Sequence, residues 1–496
     1  MTPSMTSTDL AATWAVERAI DLWIVVGEPV DLVTAVEDGA AVVVRTASES
    51  TPFAVFDAMR ETGVHDVRRV GVVTLEPAGV DVGRQSGAGA VVAVADDPGA
   101  VDSLLAAEPD ALVRRSELDS LYTLRYGSRR PFRPQVLLNP GPALTSAGVK
   151  RAAAGVDLCH REPEFTLLER QITDKLRRVA DVGDEWSVAM MSGSGTGAVE
   201  ASLRAAVRPG RRALVVSNGV YGARLRSIAQ RAGIATVTCE SAWTEPADLE
   251  ELESILATRA DIDAVAVVHH ETTTGLLNPV AEIAETARAA KVAVVVDGIS
   301  SFGAEELALA GSGIDFLVCS SNKCLQGLPG AAFVLISPRG ADRVAEVPPS
   351  SVYLDLGGYL GGAASGSVPF TPAIPALSSL DAALGELLAR GPAEHRLRYA
   401  ERAAVLDAVL EGLGLEPIVA SEHRSRTVRA IPLPRGVDYE DLHAALKRDG
   451  YVIYAGQGPL AAEIFRVCCM GTLELDTLRA FGDRLAAALD REPAPA

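Results

Sequence analysis

Two residues stand out as candidates for chemistry. Lys323 lies in SSNKCLQGLPG, residues 320–330, directly after an apolar run that ends at Cys319 and reads as a buried strand. Asp297 ends VAVVVD, a second run of the same kind, 26 positions earlier. An amine and a carboxylate, each placed just past a strand, suit a cofactor held between strand ends. Pyridoxal phosphate fits: a lysine amine condenses with its aldehyde, and a carboxylate pairs with its protonated pyridine nitrogen. Periodicity alone also allows an ordinary surface lysine beside a loop.

The neighbouring text adds polar groups at further strand ends. WSVAMM runs into Ser192-Gly193-Ser194-Gly195-Thr196-Gly197 and then a helix. A Gly-rich strand-to-helix turn exposes backbone N–H groups at the positive end of a helix, so it predicts an anion site with Ser194 and Thr196 as extra donors. It is neither a dinucleotide fingerprint nor a Walker motif, and a plain flexible loop is the alternative. Tyr221, in SNGVYGAR, sits at the next such turn, where its ring could stack on a flat cofactor or fill the core. HHETTTG, residues 269–275, follows another strand, where α/β proteins place ligands; adjacent histidines point apart and make a poor metal pair. Arg466 lies inside IFRVCCMG, an apolar strand. A charge there is costly unless paired, so it is either a clamp for a carboxylate or one half of an internal salt bridge.

These residues need a scaffold, and the pattern supplies one. Val- and Ile-rich runs alternate with amphipathic segments from about 135 onward, which predicts an α/β fold around a parallel or mostly parallel sheet covered on both faces. LLERQITDKLRRVADV has helical spacing, with Leu167, Leu168, Ile172, Leu176 and Val179 on one side. Pro140-Gly141-Pro142 predicts a rigid turn, and Thr145 or Ser146 a helix cap. Residues 351–380, rich in Gly, Ser and Pro, read as a crossing segment containing Thr371-Pro372. Long helices, a strand, a helix and the Arg466 strand then form a small C-terminal α/β unit. Upstream, DLWIVVG, AAVVVRT, VRRVGVVT and GAVVAVA read as strands. Helices are expected over 51–63, about 78–89 and about 100–107, and ALVRRSELDS reads as the polar end of that unit. The expected division is 1–120, a linker over 121–134, a large domain over 135–374 and a small domain over 375–496.

The chain has 496 residues, too many for one ordinary core. Its net charge of −19 argues against nucleic acid binding while leaving room for an anionic small substrate beside local arginines. Six cysteines make no disulfide framework, and Cys468 and Cys469 read as core. No metal-ligand spacing, basic-headed leader or membrane-length apolar run is seen, so a cytoplasmic location is expected.

From residue 135 to about 490 the sequence resembles the aspartate-aminotransferase-like fold, fold type I, of pyridoxal phosphate enzymes. LLNPGPALTS, DLCHREPEF, GSGTGAVEA, VVSNGVYGAR, HHETTTGLLNPV, VDGISSFG, SSNKCLQGLPG and FTPAIPAL occur in the order of class V of that family, and are most similar to its aminophosphonate transaminases. The resemblance implies transfer of the amino group of 2-aminoethylphosphonate to pyruvate, giving phosphonoacetaldehyde and L-alanine. It implies Lys323 as the covalent lysine and Asp297 as the partner of the pyridine nitrogen. Ser194, Gly195 and Thr196 would hold the phosphate, Tyr221 would stack on the ring, and Thr274 would lie beside the cofactor. Thr371 would reach the phosphate of a second subunit in a homodimer with shared sites, and Arg466 would hold the anionic end of the substrate. After Thr371 the sequence reads Thr-Pro-Ala-Ile where the family has Thr-Pro-Pro-Thr, which bears on substrate preference. Another aminophosphonate such as phosphonoalanine, a small amino acid, or ammonia elimination on the same scaffold are the other activities this pattern accommodates; a non-catalytic scaffold conflicts with the intact lysine and aspartate.

Residues 51–94 resemble part of a haloacid dehalogenase-like hydrolase, more narrowly phosphonoacetaldehyde hydrolase. The family's metal-binding Gly-Asp-Thr is replaced by Val72-Val73-Thr74, its DxD motif is missing, and Asp81 is the next aspartate along the chain. A catalytically inactive, degenerate domain is expected.

Overall fold

A computed structural model describes residues 135–489 and, before them, the backbone of five strands. The chain divides into two compact units, Met1–Arg133 and Pro134–Ala496.

In the first unit Leu22–Val26 (β1), Val42–Thr46 (β2), Val70–Thr74 (β3), Ala90–Ala95 (β4) and Ala111–Arg114 (β5) form a parallel sheet in the order β2-β1-β3-β4-β5. The first four coincide with the apolar runs read as strands. β5 falls in text read as the polar end of the unit, because four residues of pattern are swamped by the charges that follow. The helices expected over 51–63, 78–89 and 100–107, Asp81, and the linker over 121–134 lie outside the described residues.

The second unit is built on a seven-stranded sheet: Ser187–Gly193 (β7), Arg212–Ser217 (β8), Ala235–Glu240 (β9), Ile262–Val268 (β10), Ala293–Asp297 (β13), Phe316–Ser320 (β14) and Gly330–Ile336 (β15), in the order β7-β15-β14-β13-β10-β8-β9. All neighbours are parallel except β15, which runs against β14 and β7. The uninterrupted apolar runs are explained by burial on both faces. Val265, Val267, Val294 and Val296 enter one core cluster, while Ala264, Ala266, Val268, Ala293 and Val295 enter the other. Strand side chains alternate, so both sets must be apolar when helices cover both faces.

Helices Ala147–Ala153 (α1) and Pro163–Ala180 (α2) precede the sheet, and Ser146 caps α1 by accepting the Val149 N–H at 3.0 Å. In α2 the buried side carries Phe165, Glu169, Ile172, Leu176 and Val179; Leu167 was expected there but points outward, 57% exposed. A spacing of i, i+4, i+7 from Phe165 and Ile172 sets the stripe, and Leu167 falls off it. Gly195–Ala206 (α3), Val220–Arg231 (α4), Leu249–Thr258 (α5) and Val280–Ala289 (α6) join the strands, and His270–Glu271 (β11) pairs antiparallel with Leu276–Leu277 (β12) between β10 and α6.

Two helices follow β15: Pro338–Glu346 (α7), capped by Ser337, and Leu356–Ser365 (α8). α8 corrects the reading of 351–380 as a crossing segment alone. Its glycines carry little helical propensity, but Asp355 caps it through the Gly357 N–H, and Leu356 and Tyr359 bury into the sheet's core. Ile374–Arg390 (α9) contributes Leu377, Leu380, Leu384 and Leu387 to the core of the large sheet. Pro392–Gly412 (α10), Tyr439–Arg448 (α11) and Leu475–Ala488 (α12) surround a three-stranded sheet of Val428–Pro432 (β16), Ile464–Cys468 (β19) and Tyr454–Ala455 (β18). Cys468 and Cys469 are fully buried, as expected.

One small pairing matters for the site. Val136–Leu137 (β6) runs parallel to Tyr451–Val452 (β17), and Leu138 accepts the Cys468 N–H. The stretch that leads into Pro140-Gly141-Pro142 is thereby tied to the C-terminal sheet.

Candidate active site

Neighbouring parallel strands end at one edge of the large sheet, and the site lies there. Asp297 ends β13 and pairs in register with Val268 at the end of β10 and Val318 in β14. Lys323 lies three residues beyond the end of β14. The carboxyl edge of a parallel sheet gathers loop residues from separate parts of the chain. A cavity of about 420 Å³ opens there. Ser194, Gly195, Thr196, Tyr221, Asp297 and Lys323 all line it.

Each is held by local structure. β7 delivers the chain to Ser194, the N-cap of α3, whose side chain makes no capping bond. Gly195 and Thr196, the first two residues of α3, therefore meet the cavity with no side chain capping the helix, the arrangement that accepts an anion, while the Gly197 N–H donates to the Ser194 carbonyl at 3.0 Å. Gly195 is needed for packing, since a Cβ there would lie 2.3 Å from Cδ1 of Ile299. Tyr221 is half-buried in the first turn of α4, with the Arg224 guanidinium 4.6 Å from its ring centre. Arg224 also lines the cavity.

Asp297 is nearly buried and accepts the Ile299 N–H at 3.0 Å. Burial pushes its carboxyl up to about 6, with the Ile299 N–H acting against the rise. Lys323 donates to the Pro140 carbonyl, and the Asn322 carbonyl accepts the Ala143 N–H at 3.0 Å. Burial lowers the Lys323 ammonium below its ordinary value, favouring the neutral amine. Gly141 is the residue that lets the lysine pass: a Cβ there would sit 2.3 Å from Nζ.

The other three expected residues do not line this cavity. Thr274 is buried, its Oγ1 has no partner among the described residues, and it is not part of the cavity lining. Thr371 is exposed and faces no part of the cavity in its own chain. Arg466 is 1% exposed and donates to the carbonyls of Ala455 and Thr272, at 2.9 Å each, and to Oε1 of Gln457 at 3.3 Å. Among the described residues no carboxylate pairs with it. Its positive charge adds a little to the effect of burial in lowering the Lys323 ammonium.

The structure adds residues that the sequence reading passed over. His270, set aside as half of a poor metal pair, lines the cavity and is 2% exposed. Its Nδ1 lies 3.0 Å from the Ser300 carbonyl and so must carry the proton. Burial pushes its pKa down to about 3. The ring is therefore neutral, and its Nε2 is a buried acceptor with no partner among the described residues. Thr272 Oγ1 is orphaned in the same way. Ser300 and Asn322 complete this wall. Its one signal in the sequence was the polar HHETTTG run after an apolar strand. No group of His, Cys, Asp or Glu among the described residues is arranged to hold a metal ion, and no described helix is long and apolar enough to cross a membrane.

Known proteins resemble this chain in sequence and fold. Residues 149–471 match the family model for aminotransferase class-V. A 2-aminoethylphosphonate–pyruvate transaminase of Burkholderia pseudomallei (strain 1106a) is 38% identical over 364 residues, 73% of this chain and 98% of that one. Among solved structures, a subgroup IV aspartate aminotransferase from Thermus thermophilus aligns with TM-score 0.66 and 30% identity, over 71% of this chain and 99% of that one. An alanine–glyoxylate aminotransferase from Nostoc sp. aligns with TM-score 0.69 and 29% identity, over 73% and 97%.

Proposed function

The chain belongs to the class-V aminotransferases, and from that premise we propose that it moves the amino group of 2-aminoethylphosphonate to pyruvate, giving phosphonoacetaldehyde and L-alanine. It is a pyridoxal-phosphate-dependent aminotransferase of fold type I. The substrate reading draws on the Burkholderia relative, matched over 98% of its length. One observation carries its anionic end: Arg466 is a buried guanidinium whose described partners are all neutral acceptors. Such a cation lacks a counter-charge until an anion arrives.

The residues at the cavity fit pyridoxal phosphate. They offer an uncapped helix terminus, a carboxylate, an amine, an aromatic ring and an unpartnered acceptor. When bound, the cofactor supplies an aldehyde to take the amine and a ring to take up the electrons of the broken C–H bond. Lys323 would hold the cofactor through its aldehyde carbon, and its amine is the group that would carry a proton to and from the amine-bearing carbon of the substrate. Its burial favours the neutral amine that this task needs. Asp297 would keep the pyridine nitrogen protonated. Ser194, Gly195 and Thr196 would hold the phosphate at the start of α3. Tyr221 would stack on the ring, and Thr274 would stand behind the lining, in the HHETTTG run that carries the cavity residue His270. Thr371 of the partner subunit contacts the phosphate in a homodimer, a role that suits its exposure and its distance from its own cavity.

The first unit is a degenerate haloacid dehalogenase-like domain in this reading. The parallel order β2-β1-β3-β4-β5 supports the α/β part of this reading, and Val72-Val73-Thr74 in place of the family's Gly-Asp-Thr supports an inactive relic.

The test is an assay of the purified protein over aminophosphonates and small amino acids, with and without pyruvate. The proposal expects alanine and phosphonoacetaldehyde from 2-aminoethylphosphonate only when pyruvate is present. Ammonia released without pyruvate would replace transamination by elimination, and a faster reaction with another amine would replace the donor.

A further inference from the structure

Helix α4, which carries Tyr221, has Gly219 at its N-cap, and glycine has no side chain with which to cap it. The cap comes from a loop about fifty residues away. Oγ1 of Thr273 accepts the Val220 N–H at 3.1 Å. Oε2 of Glu271 accepts the N–H groups of Tyr221 and Gly222, both at 3.0 Å. The other carboxylate oxygen accepts the Thr273 N–H at 3.2 Å and its hydroxyl at 2.5 Å. Three consecutive N–H groups at the start of α4 are thus satisfied by two side chains of HHETTTG.

Glycine at 219 has a separate reason. A Cβ there would lie 2.3 Å from Cδ of Glu271 and 2.4 Å from its Cγ, so the glutamate side chain occupies the space beside the helix entry. Glu271 is 0% exposed and, among the described residues, has no cationic partner; backbone and hydroxyl donors alone hold it. A carboxylate at a helix N-terminus is favoured by both the free N–H groups and the helix dipole. Two helix starts therefore meet this edge of the sheet in different states. That of α4 is sealed by an internal anion, and that of α3 is left open at the cavity.

We propose that Glu271 is a positioning residue for Tyr221: by gripping the Tyr221 and Gly222 N–H groups it fixes the first turn of α4 and so the plane that the tyrosine ring presents to the cofactor. Glu271 does not line the cavity, and it acts through Tyr221. The inference rests on the stacking role given to Tyr221.

A double-mutant cycle on the cofactor dissociation constant tests it, with Glu271→Gln, Tyr221→Leu and the pair, each also melted without cofactor to verify folding. Gln keeps one acceptor oxygen for the helix and loses the charge. Glu271→Gln should weaken cofactor binding about tenfold in the native background, in line with the greater strength of a charged hydrogen bond, and by less than about twofold when Tyr221 is already Leu. An equal loss in both backgrounds, or none in either, overturns the positioning role while the stacking role stands. If Tyr221→Leu leaves cofactor binding unchanged, the stacking role falls, and the proposal with it. Should Glu271→Gln fail to fold, Thr273→Val at the same cap enters the cycle in its place, with the same non-additivity expected and the same additivity excluding the role.

Discussion

Lys323 donates its Nζ to the main-chain carbonyl of Pro140, 183 residues earlier in the chain. The contact joins the loop after β14 to a turn anchored on β17 through β6 and on the C-terminal sheet through the Leu138 carbonyl, which accepts the Cys468 N–H. The amine is thus aimed by two distant segments, and neither could position it alone.

That relationship makes Gly141 a sensitive position. Gly141→Ala places a methyl 2.3 Å from Nζ and must also adopt a φ of +117°. A residue with a Cβ is strained there, so about 1–3 kcal/mol of stability should be lost. The larger effect should be on cofactor attachment, with the visible absorbance band near 400–430 nm reduced or gone. Lys323→Ala should abolish that band and turnover together; retained turnover would remove the lysine from its role.

Asp297 predicts a pH dependence of defined sign. Its folded-state pKa is raised to about 6, so between its ordinary value and 6 the folded chain binds more protons than the unfolded one. The cofactor-free protein therefore loses stability as pH rises through that window, with the penalty complete above it. Asp297→Asn should raise its melting temperature at pH 7–8, removing up to about 3 kcal/mol of penalty, while cofactor affinity falls. Native cofactor affinity should decline as pH drops below 6. Melting and cofactor titration across pH 4–8 check both directions.

Arg466 predicts a split between affinity and stability. Arg466→Gln should raise KM for both the phosphonate donor and the keto acid by about 10- to 100-fold, the worth of a charged hydrogen bond. It removes a buried charge that has no carboxylate partner among the described residues, so the melting temperature should not fall. A destabilised variant with unchanged KM would make Arg466 structural.

The thiols predict a simple titration. Cys159 is exposed, whereas Cys239, Cys319, Cys324, Cys468 and Cys469 are buried. Burial pushes the Cys468 thiol up to about 12 and that of Cys469 to about 11. A thiol reagent should label one cysteine quickly in the native protein and all six after denaturation. A second fast thiol would show that the core opens.

Much of this molecule was legible in order along the chain. Apolar runs fixed the strands of the large sheet, because a strand buried on both faces needs apolar residues on both. Lys323, Asp297 and the Ser194–Thr196 turn were readable because each lies just past such a run. Leu167 was misplaced because several apolar residues in α2 compete for one narrow stripe, and only packing chooses among them. Helix α8 was missed because its glycines oppose helix formation locally and burial of Leu356 and Tyr359 offsets them.

By itself, the sequence determined which groups are available: an amine, a carboxylate, an anion-binding turn and an arginine in an apolar strand. Only the tertiary structure decided their company. It gave Lys323 the Pro140 carbonyl, left Arg466 with neutral partners, turned the unpartnered Nε2 of His270 into a cavity acceptor, and spent Glu271 on the start of α4. The physical reason is that hydrogen-bond partners and burial are set by segments far apart in the chain, which local residue patterns do not encode.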